Sequence, residues 1–217
     1  MENDRIMSLL DTLAGVVVTE PQPVVVTTVS PEPASTTSPV HVIPYNATLD
    51  PQADAFLPWM WKRMQADDLV DYYFPGQKDT GFATFVRLMS GDAQIALFTV
   101  DDPEKQWENT VVGFITWTPS HMGASEVIIA GFIFFRKFWN GQTTDAAAKQ
   151  AFAHWFKETP AQVVLGVCPS LHATAIRYNK RVGLHEIGRI PKAHVYKDQS
   201  CDAILYAITR DEWEGRV

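Results

Sequence analysis

The chain has 217 residues, 46% of them hydrophobic, and a formal charge of −7. That length suits one domain with an appendage, and the charge argues against a general nucleic-acid binder. Two cysteines, Cys168 and Cys201, make no disulfide framework, and no run of about 18 apolar residues offers a membrane span; with no secretory leader pattern, a cytoplasmic, reducing setting is expected.

The charge is uneven. Residues 1–40 carry five carboxylates against Arg5 alone, whereas residues 136–192 carry nine Lys/Arg against three carboxylates. Residues 1–18 could form a short amphipathic helix through Ile6, Leu9, Leu10 and Leu13, either a frayed terminus or a docking peptide that folds on a protein partner. Residues 19–40 hold five prolines among Thr, Ser and Val, which forbids regular helix and predicts an extended linker.

From His41 to Val217 the pattern is globular. His41–Asn46 reads as a strand, and its Asn46-Ala47-Thr48 fits a glycosylation sequon that a cytoplasmic chain would not use. Asp50 precedes a helix over 51–64 with Pro51 at its first position. Helices over 67–75 and 80–90 follow, broken at Pro75-Gly76. Their aromatics Trp59, Trp61, Tyr72, Tyr73 and Phe74 read as core before a substrate platform. Gln94–Val100 is a strand, ended by Asp101-Asp102-Pro103. Val111–Thr118 and Glu126–Phe135 are strands expected to pair antiparallel around a loop at 120–124.

Apolar positions at Ala147, Ala148, Ala151, Phe152, Trp155 and Phe156 predict a helix from Thr143 or Thr144 to Glu158. Val163–Val167 is a short apolar strand of the kind buried on both faces. A helix from Pro169-Ser170 should end at Gly183, and strands 184–190 and 202–209 close the domain. This is an α/β (α+β) arrangement: a mixed, mostly antiparallel sheet of six or seven strands with helices on both faces.

The stretch with the most chemical content is Phe132-Ile133-Phe134-Phe135-Arg136-Lys137-Phe138-Trp139-Asn140-Gly141-Gln142-Thr143-Thr144-Asp145. A buried strand enters a polar turn that opens a helix, and such a turn can offer free N–H groups to an anion. A second stretch, His172-Ala173-Thr174-Ala175-Ile176-Arg177-Tyr178-Asn179-Lys180-Arg181-Val182-Gly183-Leu184, forms a helix and its glycine exit.

These two motifs, with the element order, resemble the GNAT superfamily of N-acetyltransferases over residues 41–210, in detail nearest its ribosomal-protein-alanine acetyltransferase branch. The Phe138-Trp139 pair, the alanine spacing, Ala175, Ile176 and Gly183 carry the likeness. Two loop glycines of that family fall at Asn140 and Gln142, so the backbone loses conformational freedom where a pyrophosphate would approach. The resemblance implies transfer of an acetyl group from acetyl-CoA, the co-substrate, to an amine of a protein or small molecule. It implies that the sheet splays where the Glu126–Phe135 strand meets the Val163–Val167 strand. Phe134, Arg136, Trp139, Asn140, Gly141, Gln142, Thr143 and Thr144 would then bind acyl-CoA, with Lys137 or Arg136 as countercharge. Glu126 is the expected base, acting through water, with His121 as another candidate. His172, where the family keeps an Asn, would contact ligand or cap its helix. Asn179 falls where many members place a Tyr that protonates the thiolate, with Tyr178 one residue away, about 100° round the helix. Cys168 reads as a buried small hydrophobe, and no His/Cys spacing predicts a metal. The altered motif positions motivate the alternative, a non-catalytic GNAT-like module, such as a component of a viral or phage assembly, docked through residues 1–18.

Overall fold

Alternation along the strands sets the architecture. On Gln94–Val100, Ile95 and Leu97 face one way, and Ala96 and Phe98 the other, and both sets are buried. A strand buried on both faces needs a helical layer on each side. The computed structural model describes residues 39–74, 81–91, 94–101, 110–122 and 125–216. The expected N-terminal helix and residues 19–38 of the expected linker lie outside the described residues.

The strands are β1 Val40–Pro44, β2 Gln94–Val100, β3 Val111–Met122, β4 Ser125–Phe134, β5 Val163–Pro169, β6 His185–Tyr196 and β7 Gln199–Thr209. They form one sheet in the order β1-β2-β3-β4-β5-β7-β6. All pairings are antiparallel except β4 with β5. The helices are α1 Ala53–Ala66, α2 Val70–Tyr73, α3 Gly81–Ser90, α4 Gly141–Glu158, α5 Ala173–Arg181 and α6 Arg210–Glu214.

One face of the sheet packs on α4 through Ala147, Ala151, Phe152, Trp155 and Phe156 against Phe98, Ile115, Ile128 and Val164. Trp155 is 1% exposed. The other face packs on α1–α3 through Phe56, Met60, Met64 and Phe85 against Ile95, Leu97, Phe114 and Ile133. Each such large side chain contributes about 1.5–3 kcal/mol on burial.

The structure departs from the sequence reading mainly at element ends. The loop expected at 120–124 is largely hairpin, since Met122 pairs with Ser125. The last two strands run on to a hairpin turn at Lys197-Asp198, both at positive φ (50° and 61°), which closes a two-residue connection. The helix expected from Pro169-Ser170 begins at Ala173, because β5 continues to Pro169 and His172 caps the helix. Two elements are additional: a 3₁₀ turn at Arg136–Phe138 and α6, which starts from a reciprocal cap between Thr209 and Glu212.

Candidate active site

β3 holds β4 along nearly its whole length, and β7 holds β5 from Val163 to Pro169. Between them, β4 and β5 pair only at Val127–Ile129 with Val163–Leu165. The strands then part. Glu126 C=O accepts from Gln162 N–H at 2.9 Å, so alternate residues of β4 turn their main-chain groups toward β5. Past the last pair, those are Ala130, Phe132 and Phe134. A cleft of about 280 Å³ fills the gap, floored by Ala130–Phe134 and Val164–Val167 and walled by α5. Among the described residues its lining includes Arg177 and Arg181 and no carboxylate.

One end of the cleft meets the start of α4. After β4, Arg136 N–H donates to Asp67 Oδ2 at 2.7 Å, and the 3₁₀ turn leads to Asn140, the N-cap. Asn140 Oδ1 accepts from Thr143 N–H at 2.8 Å, and Asn140 C=O accepts from Thr144 N–H and Thr144 Oγ1. Asn140's own amide donates to Phe138 C=O. The chain therefore satisfies much of this turn itself, where the resemblance implied amides of 140–144 converging on a ligand. The Gly141 amide is the one main-chain donor of that turn that points at no acceptor among the described residues, Gln142 aside. Asn140, Gly141 and Thr144 line the cleft, whereas Gln142 and Thr143 do not.

Above this turn stands the C-terminal end of α5. Arg181 Nε donates to both oxygens of Asp145 at 2.8 and 3.0 Å, and its Nη2 donates to Thr144 Oγ1 at 3.1 Å. Tyr178 Oη donates to Thr144 C=O at 3.2 Å, with its ring edge-on to Phe132 and Phe134. Burial holds the Tyr178 phenol well above its ordinary pKa, and the Asp145 charge adds to this. Tyr178 thus ties α5 to α4, and its proton is committed to a helix carbonyl. Tyr178 and its neighbour Asn179 both line the cleft.

At the opposite mouth, His172 lies between Tyr72 and Tyr196, each ring centre 5.0 Å away. His172 Nδ1 accepts from Ala175 N–H at 3.0 Å. An accepting Nδ1 requires the neutral ring with its proton on Nε2. Burial lowers its pKa, opposed in part by a backbone hydrogen bond, with smaller contributions from Lys197, which lowers it, and Asp68, which raises it. His172 is accordingly a helix cap and a fixed N–H donor, which a general base cannot be. Tyr72 Oη donates to the β5 carbonyl of Val167 at 3.4 Å. Lys197, at the β6–β7 turn, pairs with Asp68 beyond α1 at 2.5 Å.

The remaining expected residues separate. Trp139 lines the cleft, and its indole N–H donates to Phe134 C=O at 2.7 Å, occupying one of the three gap-facing carbonyls. Arg136 turns away, bonded to Asp67 C=O and stacked on Trp139. Glu126 sits before the paired segment, four residues (about 13 Å) from Ala130, outside the lining; it faces His121 across the hairpin. That end of β4 is remote from the splay, so neither reaches the cleft. Cys168 is fully buried, burial pushes its thiol up to about 12, and it donates to Pro169 C=O. No group of three or more His, Cys, Asp or Glu suited to a metal occurs among the described residues. No described helix is long and apolar enough to cross a membrane.

Sequence reasoning missed the pairing of Arg181 with Asp145, and preferred core over a substrate platform for Tyr72, which lines the cleft. Arg181 and Asp145 are 36 positions apart, so no local spacing signals the pair. Tyr72 stood in an aromatic run that read as core.

No protein-family model and no curated protein matches the sequence. Solved structures do match its backbone. A probable GNAT-family acetyltransferase from Chromobacterium violaceum superposes with a TM-score of 0.63 at 15% identity, covering 92% of this chain and 100% of that one. The spermidine N-acetyltransferase of Vibrio cholerae, in complex with CoA and spermine, gives 0.62 at 8%, covering 81% and 98%. RimL, a ribosomal L7/L12 alpha-N-protein acetyltransferase in complex with coenzyme A, gives 0.61 at 13%, covering 83% and 98%. The chain has the GNAT fold.

Proposed function

We propose that the protein is an N-acyltransferase that takes acetyl-CoA in the β4–β5 cleft and acetylates an amine. The observation that carries this is the short parallel joint. Three residue pairs hold β4 to β5, and beyond them main-chain groups of Ala130 and Phe132 face a cleft that ends at a helix start and carries two arginines. Such an edge suits an extended amide-bearing arm, which adds to a strand by main-chain hydrogen bonds. A volume near 280 Å³ lies at the small end of ligand-sized cavities and suits the arm rather than the nucleotide. Structural neighbours solved with CoA support the same ligand.

In the transfer, the amine nitrogen forms a bond to the thioester carbon, the C–S bond breaks, the ammonium proton leaves and the thiolate is protonated. His172 Nε2–H and the Asn179 amide are the neutral donors available to the carbonyl oxygen and the sulfur. With no carboxylate among the described lining residues, the amine proton passes to solvent. Neighbours that acetylate a ribosomal protein and a polyamine superpose equally well, so the ribosomal-protein branch gains no preference over a small-molecule acceptor.

Thermal unfolding with acetyl-CoA tests the reading. A native-state ligand at 100 times its Kd adds about 2.7 kcal/mol, a rise of several degrees. No shift at millimolar acetyl-CoA refutes it. The rival, a non-catalytic module docked through residues 1–18, draws on one specific observation: Asn140, Trp139 and Arg181 already occupy groups that a cofactor would use. A pull-down in which full-length chain and residues 41–217 capture the same partners excludes tail docking.

A further inference from the structure

Arg181 reaches the start of α4 from the end of α5. Its Nε lies 4.0 Å from where a Cβ on Gly141 would stand, above the residue whose amide is unpaired. Its Nε donates to both oxygens of Asp145, and a guanidinium pairs with phosphate oxygens as it does with a carboxylate. Both side chains are partly exposed, 46% for Arg181 and 31% for Asp145, so the pair can open without unpacking the core. Arg177, also in the lining, adds a second positive charge and makes a long contact to Thr174 Oγ1 on its own helix at 3.5 Å.

We infer that Arg181 is a phosphate-binding residue of this site and that Asp145 holds its place in the empty protein, so that Asp145 lowers affinity for the nucleotide end of the ligand. The inference rests on the reading of the cleft as an acyl-CoA site. When a diphosphate arrives, Arg181 exchanges one anionic partner for another, and Asp145 is left as a like charge beside it. The carboxylate therefore opposes binding twice, by occupying the donor and by repelling the ligand. The arm inside the cleft is out of reach of both effects.

Titration calorimetry at low ionic strength, with CoA and separately with pantetheine, which lacks the phosphates, tests this on wild type, Asp145→Asn, Arg181→Gln and the double variant. Exposed ion pairs contribute little to folding, and circular dichroism confirms that each variant folds. Asp145→Asn should tighten CoA roughly three- to tenfold. Arg181→Gln should weaken it about tenfold. In the double variant most of the Asp145→Asn gain should vanish, because no donor remains to be released. Pantetheine affinity should stay constant across all four proteins. CoA binding that ignores or suffers from Asp145→Asn, or equal changes for pantetheine, overturns the inference and leaves the cleft reading intact. Absence of CoA binding by all four proteins overturns the cleft reading and the inference together.

Discussion

Gly131 offers a test of how tightly α2 is seated on the splayed strand. A Cβ at Gly131 would stand 2.2 Å from Tyr73 Oη and 3.1 Å from Tyr73 Cζ. Replacing a strand glycine by alanine ordinarily stabilises by about 0.4–1 kcal/mol, because the unfolded chain loses freedom. Here the added carbon overlaps the phenol by about 1 Å, and Tyr73 cannot swing clear. Its ring is packed between Tyr72, Phe74 and Phe114, and its hydroxyl is buried with no hydrogen-bond partner among the described residues. Overpacking of this kind costs about 1–3 kcal/mol, so the clash wins and Gly131→Ala should destabilise by about 1–2 kcal/mol. Tyr73→Phe deletes the overlapping oxygen. Alone it should change stability by less than about 1 kcal/mol, since the buried hydroxyl gains nothing from a partner. Combined with Gly131→Ala it should restore most of the loss, a coupling of about 1 kcal/mol measured by urea unfolding of all four proteins. A neutral or stabilising Gly131→Ala in the wild-type background, or no rescue by Tyr73→Phe, would refute the placement of α2 over β4.

Two further outcomes follow from side chains described above or adjoining them. Arg210 donates to the carbonyls of Phe156, Thr159 and Ala161, which close the end of α4; Arg210→Leu should cost about 2–4 kcal/mol in urea unfolding, and Arg210→Lys should not recover it, because one ammonium cannot span three carbonyls. His172 has a pKa below its ordinary value of about 6.5 in the native protein. The unfolded chain then binds the proton first, so the stability this residue contributes is complete above about pH 6.5 and declines as pH falls toward its lowered native pKa. Urea midpoints between pH 7.5 and 5 should fall more steeply for wild type than for His172→Asn, which keeps a capping oxygen; parallel slopes would show that His172 is not the group responsible.

The fold was more legible than the site. β2 runs over Gln94–Val100 as its apolar run predicts, and α4 ends at Glu158, because periodic burial decides both. The extension of β6 beyond Ile190 was hidden, since an edge strand that is largely exposed shows no alternation, and its register slips between Ile190 and His194. At the site, the turn carrying Asn140, Gly141 and Thr144, which line the cleft, was legible because a strand–turn–helix junction is a local signal. Glu126 lies outside the cleft lining, and the point at which β4 and β5 separate could not be known before the three-residue joint fixed it. The aromatic closure by Tyr72, His172 and Tyr196 joins three elements distant in sequence, and only the folded chain reveals it.

The narrow seam between β4 and β5 divides the sheet by chain order as well as by space. Strands β1 to β4 all come from before residue 135, and β5 to β7 all from after residue 162. A nick in the connection at 159–162 would therefore yield two polypeptides, each owning an unbroken block of neighbouring strands. Their reassembly would have to be driven by α4 lying across the boundary, with only a handful of inter-block backbone bonds to help, which makes this protein a natural candidate for a split reporter.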